Sequence, residues 1–200
     1  MSEPGSEGIL FVISAPSGTG KTTVANMILE LVDGLRKTVS HTTRKIREGE
    51  ENGVDYHFVD EDRFLAMIGN GDFIEWAQVF GNYYGTSAKE IESSLAQGQD
   101  LLLVIDVQGA ASVRSTKSLF TRTIFLLPPS MEELERRLAG RGLDSPESVQ
   151  VRLESATGEM GRKNEFDYQV VNDKLTTTVE DVRDIILAER EKRSAEKGAE

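Results

Sequence analysis

The sequence predicts an α/β protein in which helices flank a parallel β-sheet. Residues 9–13 form a short apolar run that is typical of a buried strand, and apolar residues then recur at helical spacing from residue 24 to residue 32. Further apolar runs of the same kind alternate with helical segments later in the chain, as in β–α–β units. The 200 residues are enough for one domain with one or two insertions.

A phosphate-binding loop connects the first strand to the first helix. Residues 15–22 read Ala-Pro-Ser-Gly-Thr-Gly-Lys-Thr, which fits the pattern Gly-x-x-x-x-Gly-Lys-Thr except at the first position. Glycines give such a loop its backbone freedom, the lysine can reach the outer phosphates, and the threonine hydroxyl can bind Mg²⁺. The residues expected to contact the nucleotide are Ala15, Pro16, Ser17, Gly18, Thr19, Gly20, Lys21, Thr22 and Thr23.

A second apolar strand ends in Asp106. This strand, residues 101–105, carries only apolar side chains before the acid. An acid in that position is typical of a nucleoside triphosphate site, where it helps to hold Mg²⁺ beside the loop threonine. We therefore expect Thr22 and Asp106 to hold the metal, with Asp106 acting through water.

The chain between the first helix and this second strand is far longer than a crossover connection requires. We expect residues 40–100 to form an insertion that carries the second substrate, with a helix near residues 60–68 and another that begins after Ser87. A short strand is expected at residues 38–40. Beyond Asp106 the pattern predicts four helices and two strands: helices at residues 109–117, after Ser130, from Pro146 and from Thr178, and strands at residues 123–127 and 168–172.

The bulk composition restricts the function classes. A net charge of −11 argues against general binding to nucleic acid or to an anionic membrane. The chain has no cysteine, no apolar run approaching the ~20 residues of a membrane span, and no signal-peptide pattern at its start. We expect a cytoplasmic protein. The oligomeric state does not follow from the sequence.

Arginines near the start of the insertion suggest a phosphate site. Arg44 and Arg47 lie three residues apart, and two guanidinium groups can grip one phosphate through paired hydrogen bonds. The hydroxyls of Tyr56 and Tyr84 would be further donors.

Several segments together resemble guanylate kinase. They are residues 40–47 (Ser-His-Thr-Thr-Arg-Lys-Ile-Arg), 53–58 (Gly-Val-Asp-Tyr-His-Phe), 73–76 (Phe-Ile-Glu-Trp), 81–86 (Gly-Asn-Tyr-Tyr-Gly-Thr) and 106–109 (Asp-Val-Gln-Gly). Shorter matches at residues 140–142, 152–153 and 171–173 extend the likeness over nearly the whole chain. The resemblance implies a P-loop NTPase fold with an inserted nucleoside-monophosphate-binding domain and a helical lid.

The resemblance also implies an activity, transfer of the γ-phosphoryl group of ATP to GMP or dGMP, with Mg²⁺ as cofactor. It assigns the GMP phosphate to Arg44, Arg47, Tyr56 and Tyr84, and guanine to Ser40, Glu75 and Thr86. It places Arg141 and Arg152 in the lid over the ATP phosphates and Asn172 near adenine. The catalytic residues expected from it are Lys21, Arg44, Arg141 and Arg152.

The same resemblance divides the chain. The expected core comprises residues 1–39, 101–137 and 159–200, the GMP-binding insertion residues 40–100 and the lid residues 138–158, with flexible tails at residues 1–8 and 190–200. One position departs from the pattern, because Val104 stands where many guanylate kinases have a second guanine-facing carboxylate. Two alternatives stay open: a related nucleoside monophosphate kinase with another acceptor, and a catalytically silent guanylate-kinase-like interaction module.

Overall fold

The computed structural model describes residues 8–79, 81–116, 118–139 and 146–197. Strands and helices alternate through most of this part of the chain. The strands are β1 Leu10–Ser14, β2 Leu35–Lys37, β3 His41–Thr42, β4 His57–Phe58, β5 Phe73–Val79, β6 Asn82–Ser87, β7 Asp100–Val104, β8 Thr121–Leu127 and β9 Tyr168–Val171. The helices are α1 Lys21–Leu31, α2 Glu61–Asn70, α3 Ala88–Ala96, α4 Val107–Ser115, α5 Met131–Ala139, α6 Pro146–Gly161 and α7 Leu175–Lys197.

Five strands form a parallel sheet in the order β2-β7-β1-β8-β9, which confirms the predicted fold class. The central strand β1 is buried along its whole length, because helices cover both faces of the sheet. Alternate residues of β1 face opposite sides. Phe11 packs on the side of α1 and α7, whereas Leu10 and Val12 pack on the side of α3 and α4. The carboxyl end of β1 leads directly into the phosphate-binding loop.

A second sheet of four strands, in the order β4-β3-β6-β5, lies within the insertion. The pairings of β6 with β3 and β5 are antiparallel. Its apolar centre is Phe64 of α2, which is fully buried and stacks on Phe73 and Tyr83 with ring centroids 4.5 and 5.4 Å away. The helices predicted here are confirmed, with Asp60 and Ser87 as their caps.

The structure corrects the predicted second strand. Residues 38–40 are not a strand; β2 lies at Leu35–Lys37, where Leu35 supplies the buried side chain. The Thr38 amide still donates to the Leu102 carbonyl at 3.1 Å, but the chain then turns away into the insertion. The short apolar stretch near Val39 therefore forms a connection and not an element.

Both ends of the described part of the chain pack on the core. α7 continues to Lys197, because its last turns pack on the core: Arg190 bonds to Asp100 at 2.7 Å, and the Arg193 guanidinium lies 4.1 Å from the Phe120 ring centroid. At the other end Gly8 is buried, and its amide donates to the Leu95 carbonyl at 2.7 Å. Residues 1–7 and 198–200 lie outside the described part.

None of the helices in the described ranges has the length and apolar character needed to cross a membrane.

Candidate active site

The loop after β1 has the geometry that its two inner glycines permit. Gly18 and Gly20 have φ angles of 89° and 96°, in the left-handed region that side-chain-bearing residues rarely adopt. A Cβ atom on Gly18 would lie 2.6 Å from the Leu138 side chain, so this position is also closed by packing. Gly20 caps α1, and the first turn of that helix begins with Lys21.

Lys21 lines a cavity of about 270 Å³ together with the phosphate-binding loop, Asp106 and Glu159. Its Nζ donates to the Ile105 carbonyl at 2.9 Å, which fixes the ammonium group at the end of β7. Burial lowers the pKa of Lys21, and the carboxylates of Asp106 and Glu159 act in the opposite direction. A cation that lines a cavity is suited to binding an anion such as a phosphate.

Asp106 and Thr22 line this same cavity. Asp106 caps α4: its Oδ1 accepts from the amides of Gln108 and Gly109 at 2.9 and 2.8 Å, so the cap uses only one of the two carboxylate oxygens. The Thr22 side chain is exposed at the first turn of α1. Both groups offer the oxygen donors that Mg²⁺ prefers, and their small number fits an ion that keeps most of its waters and binds phosphate. No cluster of three or more metal-binding side chains occurs among the residues that the structure describes.

Glu159 is a residue that sequence reasoning missed. It lies on α6, and its Oε1 accepts from Ser155 Oγ at 3.3 Å, while none of the described residues bonds to its buried Oε2. Burial raises the pKa of Glu159, Asp106 raises it further, and Ser155, Lys21 and the Ser17 amide lower it. Its position seven residues after Arg152, on the same face of a helix, is the signal that could have identified it.

Three residues that are predicted to bind guanine form one hydrogen-bonded chain. Thr86 Oγ1 donates to Glu75 Oε1 at 2.5 Å, and the hydroxyls of Ser40 and Thr86 are 3.1 Å apart. Because Thr86 gives its single proton to Glu75, Ser40 must be the donor in the second bond. The chain therefore presents acceptors to a ligand: the other oxygen of Glu75 and the lone pairs of Ser40.

Glu75 is held against the core of the protein. It is only 8% exposed, and burial raises the pKa of its carboxyl, with the Thr86 hydrogen bond opposing this shift and Asp106 adding to it. A Cβ atom on Gly109 of α4 would lie 3.0 Å from Glu75 Oε2. Glycine at position 109 thus leaves the space into which this carboxylate fits.

The predicted phosphate residues Arg44, Tyr56 and Tyr84 also lie together. The guanidinium Cζ of Arg44 is 5.5 Å from the Tyr56 ring centroid, and the rings of Tyr56 and Tyr84 are 6.0 Å apart. Arg44 donates to Glu50 through Nη2 at 2.7 Å and through Nη1 at 3.0 Å, and these bonds raise the pKa of Arg44. The Arg47 side chain is exposed, while its amide donates to the same Glu50 carboxylate at 2.8 Å.

A smaller cavity of about 130 Å³ joins the two halves of the site. It is lined by Thr22 from the loop side, by Ser40 and Tyr56 from the insertion, and by Val104 at the end of β7. The Val104 side chain has no hydrogen-bond acceptor for guanine. The predicted contacts to the base are therefore those of Glu75, Ser40 and Thr86. The placement of this cavity puts a ligand of the insertion next to the phosphate-binding loop.

Three predicted residues of the ATP side remain: Asn172, Arg152 and Arg141. Asn172 is 5% exposed; its amide donates to the Thr19 carbonyl at 2.6 Å, so the side chain braces the loop. It lines a further cavity with Arg136 and Arg137. Arg152 lies half-buried on α6, and Arg141 lies outside the described residues.

Comparison with known proteins agrees with this geometry. The guanylate kinase family model matches residues 8–189. The chain belongs to the guanylate kinase family. Curated guanylate kinases of Dechloromonas aromatica and Neisseria meningitidis serogroup A are each 51% identical to it, over 90% and 96% of this chain and 89% and 93% of theirs. The guanylate kinase structure from Anaplasma phagocytophilum is 40% identical, with a TM-score of 0.73, and covers 92% of this chain and 87% of its own.

Membership of the guanylate kinase family makes the chain an enzyme of the phosphotransferase class and confirms the family inferred from the sequence motifs. It also disfavours the alternative of a silent interaction module, because the similar proteins are guanylate kinases and the match covers nearly the whole length of both chains.

Proposed function

We propose that the chain transfers the γ-phosphoryl group of ATP to GMP, giving ADP and GDP. The observation that carries this proposal is the acceptor-only chain of Ser40, Thr86 and Glu75 in an insertion that opens onto a phosphate-binding loop. Guanine offers two adjacent donors, N1–H and the exocyclic amine, to such a surface. Adenine offers an acceptor at N1 and would face Glu75 unfavourably.

In this proposal the two substrates enter from opposite sides. Lys21 and the loop amides bind the ATP phosphates, and Arg44, Arg47, Tyr56 and Tyr84 bind the GMP phosphate. Arg141 and Arg152 come from the lid, and Asn172 supports the nucleotide side through Thr19. Thr22 and, through water, Asp106 would hold Mg²⁺, which would supply charge neutralisation at the phosphates.

A phosphate oxygen of GMP forms the new bond to the γ-phosphorus, and the bond from that phosphorus to the bridging oxygen of ADP breaks. The GMP phosphate is already an anion, so the step needs no dedicated general base. What the chain supplies is position and charge neutralisation, because phosphoryl transfer depends mainly on these.

The test is a steady-state assay with ATP and Mg²⁺ in which GMP, dGMP, AMP, CMP and UMP are offered separately and ADP formation is followed. A strong preference for GMP is expected, with dGMP as the next acceptor. AMP as the main acceptor would overturn the assignment of Glu75, and no transfer to any nucleotide would overturn the kinase activity.

A further inference from the structure

Glu50 connects the two arginines that are proposed to bind the GMP phosphate. Its Oε1 accepts from Arg44 Nη2 at 2.7 Å, and its Oε2 accepts from Arg44 Nη1 at 3.0 Å and from the Arg47 amide at 2.8 Å. The Glu50 amide in turn donates to the Arg47 carbonyl at 3.1 Å, which closes a tight turn. One carboxylate therefore fixes the side chain of the first arginine and the backbone of the second.

The hydrogens of the Arg44 guanidinium can be counted. Nη1 has two, and it uses one for Glu50 and the other for the Lys45 carbonyl at 2.8 Å. Nη2 uses one of its two for Glu50. Neither Glu50 nor the Lys45 carbonyl uses the Nε–H and the second Nη2–H, which lie on one edge of the planar group and point in the same direction, and the Tyr84 hydroxyl is a further hydrogen-bond partner of the guanidinium. This pair of donors matches two oxygens of a phosphate.

The surroundings of Arg44 hold this edge in one orientation. Its side chain is 13% exposed and packs beside the rings of Tyr56 and Phe58, with Cζ 5.5 and 5.6 Å from the two centroids. The Tyr84 hydroxyl lies close enough to raise the pKa of Arg44 further. A long flexible side chain normally loses rotamer freedom when it binds an anion, and here that freedom is already lost on folding.

We propose that Glu50 is a positioning residue for the acceptor phosphate: it holds the Nη1/Nη2 edge of Arg44 so that the Nε/Nη2 edge faces GMP. The inference rests on the proposed function, since it takes GMP as the ligand. Glu50 does not compete with the phosphate, because it occupies the other edge of the guanidinium and is anchored independently by the Arg47 amide.

Glu50→Gln tests the proposal, with Glu51→Gln as the matched control. Glu51 is the next residue and is exposed, and only its backbone amide takes part in a described side-chain contact, to Asp55. Calorimetric titration with GMP and with guanosine separates phosphate binding from base binding. We expect Glu50→Gln to weaken the affinity for GMP about tenfold. The affinity for guanosine and the KM for ATP should stay unchanged. Glu51→Gln should have the same affinities for GMP and guanosine, and the same KM for ATP, as the unchanged protein.

A double-mutant cycle decides whether Glu50 acts through Arg44. In an Arg44→Ala background, Glu50→Gln should cause no further loss of GMP affinity. Equal losses for GMP and guanosine would make Glu50 a general support of the insertion and overturn the proposal. Tighter GMP binding by Glu50→Gln, or a full additional loss in the Arg44→Ala background, would also overturn it. Failure of the unchanged protein to bind GMP would instead refute the proposed function itself.

Discussion

Glu75→Gln is expected to weaken recognition of the guanine base while it raises the stability of the protein. Glutamine keeps the shape of the side chain, and Thr86 Oγ1 can still donate to its carbonyl oxygen as it does to Oε1. The other terminal group becomes an NH₂, which faces the guanine donors with a donor. The change therefore removes one hydrogen bond to a charged acceptor, and such bonds contribute about 1.5–3 kcal/mol. That range corresponds to a rise in the KM for GMP of roughly tenfold to a hundredfold.

The same substitution should raise thermal stability at neutral pH. Burial raises the folded-state pKa of Glu75, so the folded protein binds more protons than the unfolded chain between the ordinary carboxyl pKa and the raised one. The free energy of unfolding therefore falls as the pH rises through this window, and ionised Glu75 destabilises the protein above it. Glutamine removes that cost. We expect a higher melting temperature, by roughly 2–4 °C for each kcal/mol removed, and a smaller difference near pH 5.

The assay is steady-state kinetics with GMP, AMP and ATP varied in turn, together with thermal unfolding at pH 7 and pH 5. Glu92→Gln, an exposed change on α3, is the control and should alter neither result. The ratio of GMP to AMP specificity should fall in Glu75→Gln. Equal losses for GMP and ATP, or a lower melting temperature with the KM for GMP unchanged, would refute the reasoning.

Four further outcomes are expected. Lys21→Ala should lower kcat on the order of 10³-fold with the fold intact by circular dichroism; near-normal kcat would exclude Lys21 from the reaction. Gly109→Ala should raise the KM for GMP and not for ATP, since a Cβ there would lie 3.0 Å from a Glu75 oxygen; a selective effect on ATP would contradict this. Glu159→Gln should tighten ADP binding about fivefold in calorimetry, since a like charge at about 4 Å in water costs about 1 kcal/mol, whereas Glu154→Gln on the same helix should not; weaker ADP binding would argue for a metal-binding Glu159. Burial lowers the pKa of His41 to about 4, so His41→Asn should lose less melting temperature than the unchanged protein as the pH drops from about 6.5 to about 4; identical pH profiles for the two proteins would contradict it.

Sequence patterns predict the secondary-structure elements that are determined by residues close together in the chain. The apolar run before the phosphate-binding loop and the helix start at Ser87 each depend on a few neighbouring residues, and the structure has them as expected. The strands β5 and β6 were not predicted. Only one of the seven β5 residues, Glu75, is buried, so this strand lacks the apolar run that identifies β1 or β7. Its pairing depends on contacts with β6 and with α4, which a single segment does not reveal.

The roles of Glu50, Glu159 and Gly109 could not be obtained from the sequence in the same way. Each depends on a contact between groups that the fold brings together: a carboxylate against a guanidinium edge, a carboxylate beside Lys21, and a missing Cβ that makes room for Glu75. Acidic residues are common in a chain with 34 of them, so their type alone identified none as special. The close spacing of Arg44 and Arg47 indicates a phosphate site, whereas no comparable pattern in the sequence marks Glu50.

The insertion leaves the core after β2 and returns at β7, and these two strands are hydrogen-bonded neighbours, with Leu35 opposite Asp100. The chain leaves β2 at Lys37, which lies opposite Leu102, and enters β7 at Asp100. One strand spacing and two residues of rise separate these crossing points by about 8 Å, and together they act as a pivot. Rotation about a pivot displaces nearby atoms least. Ser40 lies three residues beyond β2, whereas Arg44 lies farther along the lever arm. A swing of the insertion would therefore displace Arg44, and a phosphate bound to it, more than it displaces Ser40.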